Sequence, residues 1–347
     1  MAKRIVKDVG EAPAPERSYP VRFEELIGHG ARLSYVTRAI RRGVLPQSLL
    51  LTGPAGVGKT TLARMVAAAL ECERAVEGGA CGACGPCAKV RRGLHPDVRL
   101  ITFELNDKGR LRTEIVVDQV RQSVLDPLGL PPYEGKKLVF IVEPADALNV
   151  SAQNAMLKSL EEPPAYAQFL LVTTNPAGLL PTVRSRCQEL GLGPVAPQEM
   201  EKALERACVP AEERAVTLAV SGGSPGRVLG GEAPSGLVHR EELVALLARG
   251  LDITAYPDLY PALESLAKSN PWDVVGTASG LVRDAIRVLS GLAPRTHADL
   301  AATLGKAGQA RGMAGLQTIA ERLGDAPAHL DHNVNPRLLL ERLFLVP

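Results

Sequence analysis

Lys59 and Thr60, standing directly behind a run of glycines, are the side chains of this sequence whose chemistry is easiest to name. In Gly53-Pro54-Ala55-Gly56-Val57-Gly58-Lys59-Thr60 the glycines let backbone N–H groups turn inward around a polyphosphate. Lys59 can then reach the β and γ phosphates, and the Thr60 hydroxyl can sit on a magnesium ion. The stretch follows the apolar run Leu49-Leu50-Leu51 and precedes the helical pattern Leu62 to Leu70. The loop thus lies between a strand and a helix whose dipole adds positive potential at the phosphates. The ligand this predicts is ATP with Mg2+, touched by Gly53, Pro54, Gly56, Gly58, Lys59, Thr60 and Thr61. A chance glycine-rich turn has no need of the full pattern in this context.

Cysteine spacing gives a second chemistry. Cys72 is followed by Cys81, Cys84 and Cys87, the last three in two Cys-x-x-Cys steps. Such steps let two thiolates approach one ion from a single turn, and the more distant Cys72 can fold back to complete a tetrahedral site. Gly78, Gly79, Gly82 and Gly85 supply the bends. Four thiolates leave no open position, so the predicted ion is structural Zn2+ rather than catalytic zinc. The alternative is a group of free buried cysteines. Cys187 and Cys208 read as small buried apolar residues.

The third feature is an absence. Leu138-Val139-Phe140-Ile141-Val142 runs into Glu143-Pro144-Ala145-Asp146. At the end of such a strand a phosphate-loop ATPase carries an acid for the magnesium shell, followed by a glutamate that polarises the attacking water. Glu143 can serve magnesium; Pro144 cannot polarise anything.

The elements that must position these groups follow from apolar patterning. Short continuous runs at Leu49–Leu51, Val98–Thr102, Leu138–Val142 and Phe169–Val172 read as strands, the last two as buried parallel ones. Helical spacing appears at Leu33, Val36 and Ile40, and again at Val120 and Val124 behind Asp118. Glu104 to Arg112 reads as a loop or hairpin. Strands alternating with helices predict an open α/β sheet, whose ligands gather at the carboxyl ends of the strands. After Gly193 strands vanish: 197–207 and 211–220 read as helices, a loop follows at 222–236, and 239–346 holds several amphipathic helical segments. Met1 to Ser18 shows no sustained periodicity and is expected to be a mobile tail.

Composition bounds the function. A length of 347 residues is enough for two or three domains with real cores. A net charge of +2 excludes a strongly basic nucleic-acid sponge, and no stretch approaches the roughly 18 apolar residues of a membrane span. Met1-Ala2-Lys3-Arg4 lacks the apolar run of a signal peptide, so a cytoplasmic protein is expected. Aromatics make up only 3% of the chain, which favours Leu, Val and Ala cores in helices and parallel strands.

Taken together, several stretches resemble the AAA+ subunits of the bacterial DNA polymerase III clamp loader. They are Phe23 to His29 (FEELIGH), the phosphate loop, the four-cysteine insertion behind its helix, and Asn154 to Pro164 (NAMLKSLEEPP). Thr173 to Pro176 (TTNP), Ser185-Arg186-Cys187 and Asn335 to Leu345 (NPRLLLERLFL) complete the set. The resemblance implies an AAA+ P-loop parallel sheet over 19–192 with a zinc-binding insertion at 72–87. A small helical lid at 193–236 and an all-α collar at 237–347, holding five subunits in a ring, would follow. It also implies a role in DNA replication beside gamma/tau and delta subunits, a sliding clamp, and primer–template DNA reached through the assembled complex, with no membrane involved.

Within that family the chain looks more like the delta-prime type than the gamma/tau motor. Pro144 stands where the motors have their catalytic glutamate, and Gly223-Ser224-Pro225-Gly226-Arg227 has Gly226 where the motors place a nucleotide-sensing arginine. The chain also ends soon after NPRLLLERLFL. The resemblance casts Arg186 as a finger reaching the neighbouring subunit's nucleotide, and Thr174 as a sensor beside the γ phosphate, with Glu143 among the nucleotide-site residues. The chain's own ATP hydrolysis is expected to be weak or absent. The alternatives are a gamma/tau-like motor, in which Glu143 and Asp146 replace the lost glutamate, and, more remotely, a small-molecule P-loop kinase.

Overall fold

The computed structural model describes residues 18–105, 109–229, 239–248, 256–269, 271–331 and 335–344. The expected N-terminal tail lies, but for Ser18, outside the described residues, as do positions 230–236 of the expected lid loop. Two compact units divide the chain, Met1–Gly193 and Pro194–Pro347.

The first unit is built on five parallel strands: β1 (Ser48–Thr52), β2 (Val98–Ile101), β3 (Leu138–Val142), β4 (Ala167–Thr173) and β5 (Gln188–Gly191). Their spatial order is β2-β3-β4-β1-β5. Every residue of β1, β3 and β4 is buried, as continuous apolar runs require when helices cover both faces. Alternation then sorts the side chains. Leu50, Phe140, Val142, Phe169 and Leu171 point into one core, which they share with Met156 and Leu160. Leu49, Leu51, Val139, Ile141, Leu170 and Val172 point into the other, against Val36, Leu62 and Val66. The rings of Phe140 and Phe169 stack with centroids 5.2 Å apart. The α/β class read from the sequence is the class observed.

Helices α1 (Gly30–Arg42), α2 (Lys59–Glu71), α3 (Gly85–Arg92) and α4 (Val150–Glu161) carry the groups of interest. α4 begins at Asn149, whose side chain accepts from the Ala152 N–H as an N-cap. Asp118 stands in the first turn of a helical run through Leu128, in which Val120 and Val124 are buried. Leu105 and Leu111 form an isolated antiparallel bridge within 104–112, the stretch read as a loop or hairpin, of which 106–108 lie outside the described residues.

The second unit contains, among its described residues, helices α5 (Pro197–Arg206), α6 (Ala211–Ser221), α7 (Arg240–Ala248), α8 (Tyr256–Ala267), α9 (Pro271–Leu289), α10 (Ala301–Asp331) and α11 (Pro336–Phe344). α7 to α11 bury one leucine-rich core including Leu243, Leu247, Leu263, Leu281, Leu316, Leu343 and Phe344. Gly312 breaks α10 with φ 69° and ψ 166°, and the half-buried Arg311 beside it donates to the carbonyls of Leu246, Leu247 and Phe344. One expectation fails here. Cys208 is exposed, with a left-handed φ of 56°, because it follows the last turn of α5 rather than lying on its apolar face. Cys187, by contrast, packs against the sheet core, and burial raises its thiol to about 11.

Candidate functional site

The phosphate loop leaves the carboxyl end of β1 and enters α2 at Lys59. Gly53, Gly56 and Gly58 take positive φ values of 142°, 75° and 106°. At Gly53 a Cβ would lie 2.0 Å from the Leu192 carbonyl oxygen, so only glycine passes there. Val57 is fully buried and pins the loop, while Pro54, Ala55 and Gly56 are exposed at its rim. His29, itself left-handed at φ 62°, places Nε2 3.0 Å from the Val57 carbonyl oxygen and ties the start of α1 to the loop.

Lys59 is 6% exposed, and its Nζ donates to the carbonyls of Gly53 (2.9 Å) and Pro54 (2.7 Å). Burial lowers its pKa, against the opposing pull of Glu143 and Asp146. The Thr60 hydroxyl donates to Glu143, which follows β3 directly. Cation, hydroxyl and carboxylate therefore converge at the carboxyl ends of β1 and β3, where an α/β sheet binds its ligands. Polyphosphate on the loop N–H groups, with magnesium between Thr60 and Glu143, fits this donor set. Thr61 is half-buried one residue further along α2.

Pro144 follows Glu143 and contributes only its carbonyl, which accepts from the Ala147 N–H. Sequence reading singled out Thr174, which is exposed beyond the end of β4. The hydroxyl with a partner at this end of β4 is that of Thr173, buried and donating to Asp146 Oδ1 at 2.5 Å while accepting from the Asn175 N–H. The Asp146–Thr173 pair and His29 escaped the sequence reading. Their signals, an acid four residues after Val142 and a histidine closing FEELIGH, were present without a partner to give them meaning.

Arg186 lies elsewhere. It precedes β5, whose Gln188 is level with Leu49 and whose Gly191 is level with Thr52 at the mouth of the phosphate loop. At about 3.3 Å per residue those strand residues alone span about 10 Å, with Arg186 beyond their far end. Its guanidinium donates to Glu161 Oε2 through Nη2 (2.9 Å) and Nε (3.2 Å), and to the Thr182 carbonyl through Nη1 (3.0 Å).

The four cysteines come together behind α2. The Sγ atoms of Cys72, Cys81, Cys84 and Cys87 lie within 4.8 Å of one another. Tetrahedral zinc with bonds of about 2.3 Å sets its sulfurs roughly 3.8 Å apart, so the cluster fits that ion. The Cys72–Cys84 separation is 3.9 Å. The N–H of Cys81 points at Cys72 Sγ (3.3 Å) and that of Ala83 at Cys81 Sγ (3.5 Å), an arrangement that favours thiolate. The backbone N–H groups of Ala83 and Cys84 lower Cys81 to about 6, whereas burial raises Cys72 and Cys87. Gly78 and Gly82 make the left-handed bends, at φ 87° and 74°; Gly85 instead opens α3.

Two carboxylates hold the segment that leads into β3, one of them beside the knuckle. Glu71, beside Cys72, accepts from the N–H groups of Lys136 (2.8 Å) and Lys137 (3.0 Å), while Lys136 Nζ donates to the Cys72 carbonyl (2.7 Å). Asp97 accepts from the N–H groups of Tyr133, Glu134 and Gly135 at 2.6, 2.9 and 2.8 Å. Burial pushes the Asp97 carboxyl up, but those N–H groups together outweigh it and hold it below its ordinary value.

Residues 28–196 match the family model described as DNA polymerase III, delta subunit. The DNA polymerase III subunit delta' of Pseudomonas aeruginosa is 45% identical over 179 residues, covering 51% of this chain and 52% of that protein. The tau subunit of Escherichia coli is 31% identical over 186 residues, covering 54% and 28% respectively. The chain thus spans about half, or less, of the length of these relatives. A gamma subunit-related protein of Thermotoga maritima, covering 90% of this chain and 97% of its own, superposes with a TM-score of 0.45 at 17% identity. Among the described residues no helix is long and apolar enough to cross a membrane. From Gly28 to Ala196, the stretch that carries the phosphate loop, the Cys₄ knuckle and Arg186, the sequence is similar to those of DNA polymerase III delta-type subunits.

Proposed function

We propose that this chain is a delta-prime-like stator of the DNA polymerase III clamp loader, a cytoplasmic subunit that works beside gamma/tau and delta in a pentameric ring. In this reading it helps load the sliding clamp onto primed DNA and donates Arg186 in trans to a neighbouring ATPase. Residues 19–192 form the AAA+ domain, 193–236 the lid and 237–347 the collar. Zinc on Cys72, Cys81, Cys84 and Cys87 is structural. ATP with Mg2+ binds Gly53 to Thr61 and Glu143, with Thr174 as sensor, without productive turnover.

The observation that carries the reading is the separation of Arg186 from its own phosphate loop along β5. An arginine so placed does not reach the γ phosphate held by the same chain, and an arginine finger must touch that charge to act. The second support is Pro144. A site lacking its water-polarising carboxylate loses about 10²- to 10⁴-fold in rate, and the nearby Asp146 is already hydrogen-bonded to Thr173.

Titration of the purified chain with ATP and Mg2+, alongside a turnover assay, tests the nucleotide half of this proposal. Stoichiometric binding with turnover near background is expected. Robust turnover that disappears in Lys59→Ala would identify the chain as a motor and sink the stator reading.

A further inference from the structure

The sequence offers no reason to couple Glu161, at the end of α4, to Arg186, 25 residues away. Their contact is specific. Nε and Nη2 of Arg186 both donate to Glu161 Oε2, and Nη1 donates to the Thr182 carbonyl. Arginine presents five N–H donors in a rigid fork. Three are engaged here, which leaves one hydrogen on each terminal nitrogen and directs the end of the guanidinium away from Glu161. Two such donors match two oxygens of one phosphate.

The holder is itself rigid. α4 buries Met156 and Leu160 in the sheet core, and Thr182 belongs to the turn Pro181–Arg184, whose Val183 is buried. Arg186 thereby gains a fixed direction from two elements of the core, although its side chain remains 30% exposed and that of Glu161 57%. An exposed ion pair adds little stability, so this one is better understood by what it orients. A free arginine samples many rotamers and must give them up when the finger engages, whereas a held one has already done so.

We propose that Glu161 is a positioning residue for Arg186: it grips one edge of the guanidinium and presents the other to an anionic phosphate of a neighbouring subunit. The inference rests on the trans-finger reading of Arg186, and it adds a residue to which no role has been given.

The test is ATP hydrolysis by a clamp loader reassembled with its ATPase subunits, DNA and clamp around this chain, in wild-type, Glu161→Ala, Arg186→Ala and doubly substituted forms. Glu161→Ala is expected to lower kcat about tenfold with KM for ATP within about twofold of wild type, since the neighbour's own loop binds the nucleotide. Glu161→Gln, which keeps a carbonyl acceptor, should lose less. Glu162→Gln, which removes the same charge one residue on, should change nothing. In the Arg186→Ala background Glu161→Ala should have no further effect. If Arg186→Ala reduces kcat while Glu161→Ala does not, or if the two losses multiply, the positioning role is wrong and the finger stands. If Arg186→Ala leaves kcat unchanged in an intact assembly, the finger reading falls and takes this proposal with it.

Discussion

At the carboxyl end of the sheet, Lys59, Thr60 and Glu143 are drawn together by buried backbone, left-handed glycines and the fully buried Val57. Beyond the opposite end of β5, Arg186 is held at the surface by one carboxylate and one carbonyl. The first region gathers a cation, a hydroxyl and a carboxylate, with Pro144 directly behind the carboxylate. The second holds a partly exposed cation. The phosphate loop and Arg186 therefore stand at opposite ends of one sheet, the arrangement that the trans-finger proposal requires.

The largest expected effect bears on how the gripping end is built. α2 runs from Lys59 to Glu71, so it joins the phosphate loop to the Cys₄ knuckle. Structural zinc binds with about 10 kcal/mol or more, much of it folding free energy. Chelation, or Cys84→Ser, should lower the thermal midpoint by about 10 °C or more and abolish stoichiometric zinc in metal analysis. A native protein free of metal, with an unchanged midpoint, would break the claim that the knuckle buttresses this end. Next in size, Lys59→Ala should weaken ATP binding about a hundredfold in a titration, since it removes charge-assisted contacts to phosphate. An unchanged affinity would mean that the loop does not grip.

A smaller effect sharpens the comparison. Asp97→Asn should cost about 2 kcal/mol in denaturant unfolding, because three N–H groups lose their carboxylate. The folded carboxyl titrates below its unfolded value of about 4, so its contribution is complete above that pH. It fades as pH falls through the lower folded value. The gap between wild type and variant should therefore close on acidification below about pH 4; a gap independent of pH would assign the loss to packing rather than charge.

The gripping end was legible in the sequence and the projecting end only half so. β1, β3 and β4 are fully buried, so their residues had to form continuous apolar runs, and the loop and cysteines sit at fixed offsets from them. β5 reads Gln-Glu-Leu-Gly and β2 exposes Arg99 and Leu100, because each is an edge strand with little to bury. Arg186 was found through its SRC neighbourhood, but Glu161 was not, since two surface charges far apart in sequence carry no periodic signal. Neighbouring threonines are also not told apart by composition. Thr173 and Thr174 share a composition, and only the pleat decides that Thr173 faces Asp146 while Thr174 faces solvent. Cys208 shows the same limit, since helix termination rather than hydrophobicity fixed its exposure.

The division between the two ends is tested most directly by Arg186→Ala in the reassembled clamp loader, read as DNA-stimulated ATP hydrolysis with assembly checked by gel filtration. A loss of about a thousandfold at the neighbouring site, with the ring intact, is the predicted result. Unchanged hydrolysis in an intact ring would contradict it.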